Sequence, residues 1–580
     1  MDCKIIYFFL TILTFSPLLS QHINPLPRGL TDREKLLLAD YKPPGYSENV
    51  TSPPPYPVRT PAEWEELQAI AITWTSFTSI LTEIVRHARE ECAVYIICSD
   101  SNTVRSNLYQ AGIPSENIRF LQAAYNSIWI RDYGPWSVYA ADSDSVNIID
   151  WIYNRPRPYD DLIPGIFAQT IQAPFFATTT PPYNLVHTGG NFLVDGRGTA
   201  FSSKLILQEN PEKTGAEIDT ILKKFMGINR FIKLDVLPYD GIHHIDMHMK
   251  LLDEETILMG EYPAGISDGP QIEANLSYIL NNFKTCYGRD FRVIRIPMPP
   301  DGNGRYPSQG GDYRTYTNSL IINKTVLIPT YEYRYDTTAF RIYREAMPGY
   351  ELQGINCNSI IPLNGALHCI VKEISAYHPI QISHAPIRSA SDTSTFYSAE
   401  ADISSVIPVI GAELFWTSDT SLGFTMVPMR HTGSEHYAAS IPAQTGDTQI
   451  FYYISATSAS GKTIARPMTA PQGLFGFTVE TVSKVKTRKS QEVEKLILSQ
   501  NYPNPFNSST TIHLYIPASE EIHLSLFNAV GELVKVLHKE HLPAGEHNFK
   551  LDAGNMASGV YFYSIRSRSQ ILTRKLLLLK

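Results

Sequence analysis

The sequence predicts an α/β body of five repeated units, arranged as the blades of a pseudo-symmetric five-bladed α/β propeller. An immunoglobulin-like β-sandwich and a small C-terminal β-sandwich follow it. Three observations predict this. At 580 residues the chain exceeds what one compact core holds. Strand-like runs at 69–74, 93–98, 205–207 and 320–328 alternate with helical periodicity at 78–89, 212–225, 270–283 and 339–347. A polar tip followed by strand, turn and strand recurs at Asp132, at Gly189-Gly190-Asn191, at His244-Ile245-Asp246, at Thr317-Asn318 and at His368-Cys369. Five such units, each with a helix nearby, suggest one tip per blade facing a shared site.

The segments follow in order. Residues 1–20 carry Lys4, then an apolar run too short to span a bilayer, then small residues before Gln21, the pattern of a cleavable secretory signal. No other stretch reaches the ~20 apolar residues of a spanning helix. Residues 21–60 are proline-rich and predict an extended arm laid on a domain. Residues 61–377 form the α/β body. Residues 378–482 lose helical periodicity and give short alternating strands with no cysteine, hence a sandwich without an inter-sheet disulfide. Residues 483–495 are charged and apolar-poor, a linker. Residues 496–580 return to strands.

Composition excludes some functions. With 43% hydrophobic and 18% charged residues and a net charge of -8, no basic surface for nucleic acid is indicated. The 33 tyrosines suit β-rich domains. Of the 6 cysteines, removal of the signal takes Cys3 and leaves an odd number in an exported chain, so at least one thiol is free.

Cys369, His244, Asp132 and Asp246 supply one thiol, one imidazole and two carboxylates. That set suits attack on a guanidinium, a planar cation that carboxylates hold in bidentate pairs and whose carbon a thiolate can reach covalently. In an extended strand His244 and Asp246 would share a face. His243, His244, Asp246 and His248 also raise a metal site, but Ile245 stands where a metalloprotease helix needs glutamate, so no metal and no cofactor is expected. Taken alone, Asp132 could cap a turn, Asn318 could be a loop amide and Cys369 an inert core thiol. Their joint order argues otherwise.

Gly189-Gly190-Asn191, His244-x-Asp246, Thr317-Asn318, Leu367-His368-Cys369 and the segment Trp129 to Pro135 resemble the guanidine-modifying superfamily of five-bladed propellers. Over about residues 60–375 the chain is similar to Porphyromonas-type peptidylarginine deiminases and, more distantly, to agmatine deiminases. The resemblance implies Cys369 as nucleophile, His244 as acid/base, Asp132 and Asp246 as guanidinium-binding carboxylates, Asn318 as a supporting amide and Trp129 as a pocket wall. It implies that Arg155 and Arg157, two apart in a proline-held stretch, grip the carboxylate of a C-terminal arginine. Without it, a solvated basic loop would be the reading.

The expected activity is therefore deimination of C-terminal arginine in peptides and proteins to citrulline, with ammonia released. An agmatine or free-arginine deiminase and a non-catalytic surface binding protein are the alternatives. The opening Leu498-Ser499-Gln500-Asn501-Tyr502-Pro503-Asn504-Pro505-Phe506-Asn507 resembles C-terminal sorting domains of type IX secretion. This implies the secretion machinery as a partner and delivery to the cell surface or medium after periplasmic passage.

Overall fold

The computed structural model describes residues 25–141, 145–481, 496–501, 503–567 and 570–579. The expected signal segment and the expected linker lie outside the described residues. The chain divides into two compact units, Met1–Val482 and Ser483–Lys580.

The first unit holds five separate sheets built on one plan: an antiparallel strand pair whose second strand is joined through a helix to a parallel third. Trp136–Ala140 and Val146–Tyr153 lead through helix Ile163–Ile171 to Phe175–Thr178. Leu193–Val194 and Thr199–Ser203 lead through Gly215–Met226 to Arg230–Leu234. Met249–Leu251 and Thr256–Glu261 lead through Gly269–Asn282 to Arg292–Pro297. Leu320–Ile322 and Thr325–Thr330 lead through Tyr333–Ala346 to Glu351–Asn356. In the fifth sheet the late strand Lys372–Ser375 pairs antiparallel with the early strand Leu67–Thr73, which continues through Thr78–Glu91 to Ala93–Cys98. The number of sheets equals the number of repeated tips. Strand pairing closes no propeller ring, so the architecture established here is an α/β body of five sheets.

Local chemistry explains the elements. Helix Thr78–Glu91 buries Ile80, Leu81, Ile84, Val85 and Ala88, one apolar stripe at helical spacing. Helix Gly215–Met226 starts with a reciprocal Thr214–Glu217 capping box and stops at Gly227, whose φ of 70° suits glycine.

Three sequence expectations fail locally. Residues 205–207, read as strand, begin the short helix Leu205–Glu209. The arm is not extended throughout, because Asp32–Leu37 is a helix opened by a Thr31–Glu34 capping box. No proline stands between Pro27 and Pro43, so nothing blocks that turn of helix. His244 and Asp246 do not share a strand face but flank and occupy the 3-10 turn Ile245–Met247.

Residues 380–480 form two further sheets. Phe396–Ser404 alternates exposed and buried positions, as a strand with one wet face does. Their core includes Ile403, Leu414, Tyr452 and Ile454. They are tied to the α/β body by ion pairs Lys462–Glu66 at 2.6 Å and Arg388–Glu255 at 3.1 Å, and by Arg466 with Glu254.

The second unit contains a sheet of Ile497–Leu498, Ser509–Ile516 and Gly545–Asp552. A second sheet runs in the order Leu533–Leu542, Glu520–Asn528, Gly559–Arg566, Ile571–Leu578. Leu514, Leu524, Leu526, Tyr563 and Leu576 fill its core. No helix among the described residues is long and apolar enough to cross a membrane.

Candidate active site

Each tip delivers one part of a buried cluster. Asp132 comes from the single helical turn Ile130–Tyr133, where Asp132 N–H donates to Trp129 O at 3.0 Å. Gly190 lies in the 3-10 turn Gly189–Asn191 and donates its N–H to Asp132 Oδ1 at 3.1 Å. His244 and Asp246 come from the next tip, Asn318 from just before Leu320–Ile322, and Cys369 from the 3-10 turn His368–Ile370. Asp132, His244, Asp246, Asn318 and Cys369 are all buried. The structure thus brings together the five residues expected to be catalytic.

The cluster is occupied by a side chain of the chain itself. Arg28, from the arm, places Nε and Nη2 each 3.0 Å from the two oxygens of Asp132, a bidentate pair. Its Nη2 reaches Asp246 Oδ2 at 3.3 Å, and its Nη1 lies 2.6 Å from Cys369 Sγ. Arg28 and Cys369 have no exposed surface. Burial opposes the charge on Arg28, but Asp132, Asp246 and the thiol outweigh it and hold its pKa well above the usual value.

The same charges set the other groups. Burial pushes the Cys369 thiol well above its ordinary range, and the Arg28 guanidinium opposes that rise. Burial works against the charged forms of Asp132 and Asp246. Pairing with Arg28 still holds both below the carboxylate range, and His368 adds to the effect at Asp246. Burial, aided by the Arg28 charge, lowers His244 to about 3, so its ring is neutral at ordinary pH. His244 Nδ1 lies 3.6 Å from Asp132 Oδ1. The neutral ring has a lone pair free to accept a proton, but burial and the neighbouring guanidinium make it a weak base.

The thiol of Cys369 donates to Asn318 Oδ1 at 3.3 Å. Trp129 sits against the site through Gly365, where an added Cβ would lie 2.4 Å from the Trp129 ring and 3.1 Å from Cys369 Sγ. Its indole N–H donates to Leu26 O at 2.9 Å. Arg155 and Arg157 point to one short stretch of chain, as their spacing suggested, but they grip successive carbonyls and not one carboxylate. Arg155 Nε donates to Arg28 O at 3.0 Å, and Arg157 Nη2 donates to Pro27 O at 2.8 Å and Gly29 O at 3.2 Å. Arg157 Nε also pairs with Glu34 at 2.7 Å. Both arginines are buried, so the solvated basic loop is excluded.

Several supporting residues had been given no role from the sequence. His368 Nδ1 bonds Asp246 Oδ2 at 2.9 Å, and its Nε2 lies 3.3 Å from Glu63. Arg131 donates to His368 O at 2.9 Å and pairs with Glu373, fixing the tip that carries Cys369. His368 adjoins Cys369 in the motif and could have been singled out. Arg131 likewise lies within the Trp129 to Pro135 segment, whereas nothing local marks Glu63 or Arg28.

Among the described residues one metal-like cluster occurs: Glu63, His368 and Glu373, with potential ligand atoms within 4.8 Å of one another. It fits a cation poorly. Lys250 lies 2.7 Å from Glu63, and Lys372 and Arg131 both pair with Glu373, so an ion would meet three positive groups.

Residues 59–374 match the Porphyromonas-type peptidyl-arginine deiminase family, a little over half of the chain. The chain belongs to this family. Deimination of a guanidino group, a hydrolysis at a carbon–nitrogen bond, goes with that membership. A protein of Vibrio parahaemolyticus described as an agmatine deiminase is 24% identical over 45% of this chain and 79% of its own length. One of Shewanella baltica is 25% identical over 54% of this chain and 93% of its own. A solved structure described as an arginine deiminase from Porphyromonas gingivalis has 22% identity, covers 55% of this chain and 98% of that one, and gives a TM-score of 0.48. A solved structure described as an agmatine deiminase gives 0.50 at 18% identity, covering 57% of this chain and 100% of its own, a likeness of fold. Residues 500–579 match the secretion system C-terminal sorting domain, which marks the chain for secretion or surface display by the type IX machinery.

Proposed function

We propose that the chain deiminates arginine in peptides or proteins, converting the guanidinium to a ureido group with release of ammonia. One observation carries this reading: a peptide-borne guanidinium, that of Arg28, sits paired with Asp132 and Asp246 and 2.6 Å from the Cys369 sulfur. Cys369 is assigned the nucleophile, His244 the acid/base, Asp132 and Asp246 the guanidinium carboxylates, and Asn318 the amide that orients the thiol. Trp129 walls the pocket. The five sheets act as five blades whose tips share this site, and residues 378–482 serve as an immunoglobulin-type accessory.

The chemistry follows from the charges. A bound guanidinium eases ionisation of the buried thiol, whose proton passes by way of neutral His244 to the departing nitrogen. Sγ adds to the guanidinium carbon, and ammonia leaves. Water then adds at that carbon, giving its proton to His244, and the sulfur departs.

A C-terminal arginine would present one carboxylate oxygen where Arg155 meets the Arg28 carbonyl, which favours such substrates. The carbonyl contacts of Arg155 and Arg157 also argue for peptides over agmatine, which has no acyl oxygen to accept from them. Relatives described as agmatine deiminases keep that second reading alive. The deciding experiment compares kcat/KM on a peptide ending in arginine with that on agmatine, using the wild type and Cys369→Ala. Peptide turnover that depends on Cys369 is expected. A preference for agmatine would overturn the peptide reading, and unchanged turnover by Cys369→Ala would overturn the nucleophile.

A further inference from the structure

Asp246 has two ion-pair partners, and only one of them belongs to the occupant of the pocket. Arg28 Nη2 lies 3.3 Å from Asp246 Oδ2, while His368 Nδ1 lies 2.9 Å from that same oxygen. The other nitrogen of the His368 ring, Nε2, lies 3.3 Å from Glu63 Oε2. Glu63 is itself kept ionised: burial raises its carboxyl, but Lys250, 2.7 Å from both of its oxygens, and His368 outweigh this and hold it at about 2. A ring set between two carboxylates donates to both only as the imidazolium, since the neutral ring has a single N–H.

The turn that carries Cys369 does not depend on that ring for its place. His368 N–H donates to Asn318 O at 3.2 Å and Arg131 Nε donates to His368 O at 2.9 Å, so the backbone before Cys369 is pinned on both sides. What the ring adds is charge. That charge matters when the pocket is empty, because deimination ends on a neutral ureido group and leaves Asp132 and Asp246 without a guanidinium. Lys250 is then taken by Glu63, and Arg131 and Lys372 by Glu373. Among the described residues Asp246 pairs with no lysine, and with no arginine but Arg28.

We infer that His368 is a positioning residue for the deimination: its imidazolium, braced by Glu63, is the standing countercharge that keeps Asp246 ionised in the empty pocket and ready for a guanidinium. This rests on the deiminase reading above. A buried carboxylate beside a second one otherwise takes up a proton, and a neutral Asp246 offers a cation no charge. The other groups around the pair do not replace His368. Burial lowers His244 to about 3 and His248 to about 4, so both rings are neutral. Asp132 and Glu373 are negative, burial pushes the Cys369 thiol up, and Lys372, lowered by burial to about 8, is committed to Glu373.

The test is binding of an arginine peptide between pH 5 and 8 to full-length Arg28→Ala/Cys369→Ala chains, in which neither the arm nor the reaction intervenes. Residue 368 is kept, or changed by His368→Gln or His368→Lys. His368→Gln keeps a donor and removes the charge. Its Kd should exceed that of the His368 chain by at least ~10-fold at pH 5, the effect of about one pKa unit, and approach it toward pH 8, where Asp246 ionises unaided. His368→Lys restores the charge and should stay within a few-fold of the His368 chain throughout. A His368→Gln penalty equal at every pH, or His368→Lys no better than His368→Gln, would reduce His368 to a support of the turn and overturn the countercharge. On chains that keep His368, infrared spectra of the empty site at pH 5 should show no protonated-carboxyl band that Asp246→Asn removes, and such a band would overturn it with residue 368 untouched. Binding in the expected pattern, with no ureido product from Arg28→Ala chains that keep Cys369, would overturn the deiminase reading alone.

Discussion

Arg155 Nε meets the main-chain oxygen of Arg28 at 3.0 Å, while Arg157, two residues on, reaches the carbonyls on either side of it and pairs with Glu34. On the proposed peptide reading, the two arginines would contact different parts of the substrate. A free C-terminal arginine has a carboxylate at the Arg155 position and no following residue. A charge-assisted hydrogen bond of this kind contributes about 1.5–3 kcal/mol. Arg155→Ala should accordingly lower kcat/KM for the free acid by roughly 10- to 150-fold, and much less for the same peptide amidated. Arg157→Ala should lower both in similar proportion. Equal losses on the two substrates for Arg155→Ala would remove its role in C-terminal recognition.

Gly190→Ala should abolish guanidine binding while sparing the fold. The residue does not occupy the left-handed region, so alanine strains no backbone, yet its Cβ falls on the guanidinium. Loss of at least ~100-fold in kcat/KM is expected from displacing the reacting carbon, with an unchanged far-ultraviolet spectrum. Activity within a few-fold of wild type would mean that the guanidine binds elsewhere.

The strand–turn–strand tips were legible because each joins a turn signal to an apolar pair, and four of the site residues announced themselves as a set of chemically matched types. Trp129, Arg155 and Arg157 were named as well and lie beside the cluster, although the carbonyl-by-carbonyl contacts of the arginines depend on where the arm lies, which no local pattern encodes. Arg28 was hidden for the same reason: it stands in a proline-rich stretch 104 residues from Asp132 and 341 from Cys369 in sequence. The 205–207 error is of another kind. Three apolar residues in a row fit strand and helix equally, and the surrounding turn decided for helix.

Arg131 is a stability and positioning residue. It is buried, pairs with Glu373 and holds the His368 carbonyl beside Cys369. Arg131→Ala strands a buried carboxylate, and removing one member of such a pair costs about 3–5 kcal/mol. Lys372 remains beside Glu373 and should bring the loss toward the lower figure. Denaturant melts of the two proteins measure it, and a change under ~1 kcal/mol would show that the surface pair estimate applies instead.

Burial pushes the Asp240 carboxyl up to about 7. The folded chain then holds that proton more tightly than the unfolded chain does. The stability it confers is complete below a pH of about 4, and it is lost as pH rises through 7. Asp240→Asn removes the titration. Its Tm should match that of wild type most nearly in acid and gain on it steadily toward pH 8. Parallel Tm curves across that range would assign Asp240 an ordinary carboxylate.

Delivery and catalysis should separate at the second unit. Every residue of the proposed site lies between Trp129 and Cys369, with Arg28 in the arm, whereas the core of residues 496–580 is built from its own side chains, Leu514, Leu526 and Leu576 among them. Deleting 496–580 therefore removes no group of the proposed site. Purified truncated enzyme should keep the kcat/KM of the full chain on an arginine peptide. In a host with type IX secretion the truncated form should accumulate in the periplasm, because the sorting domain is the part that the machinery reads. Cell fractionation with an activity assay on each fraction decides the matter: surface or medium activity equal to that of the full chain would show that delivery is encoded elsewhere.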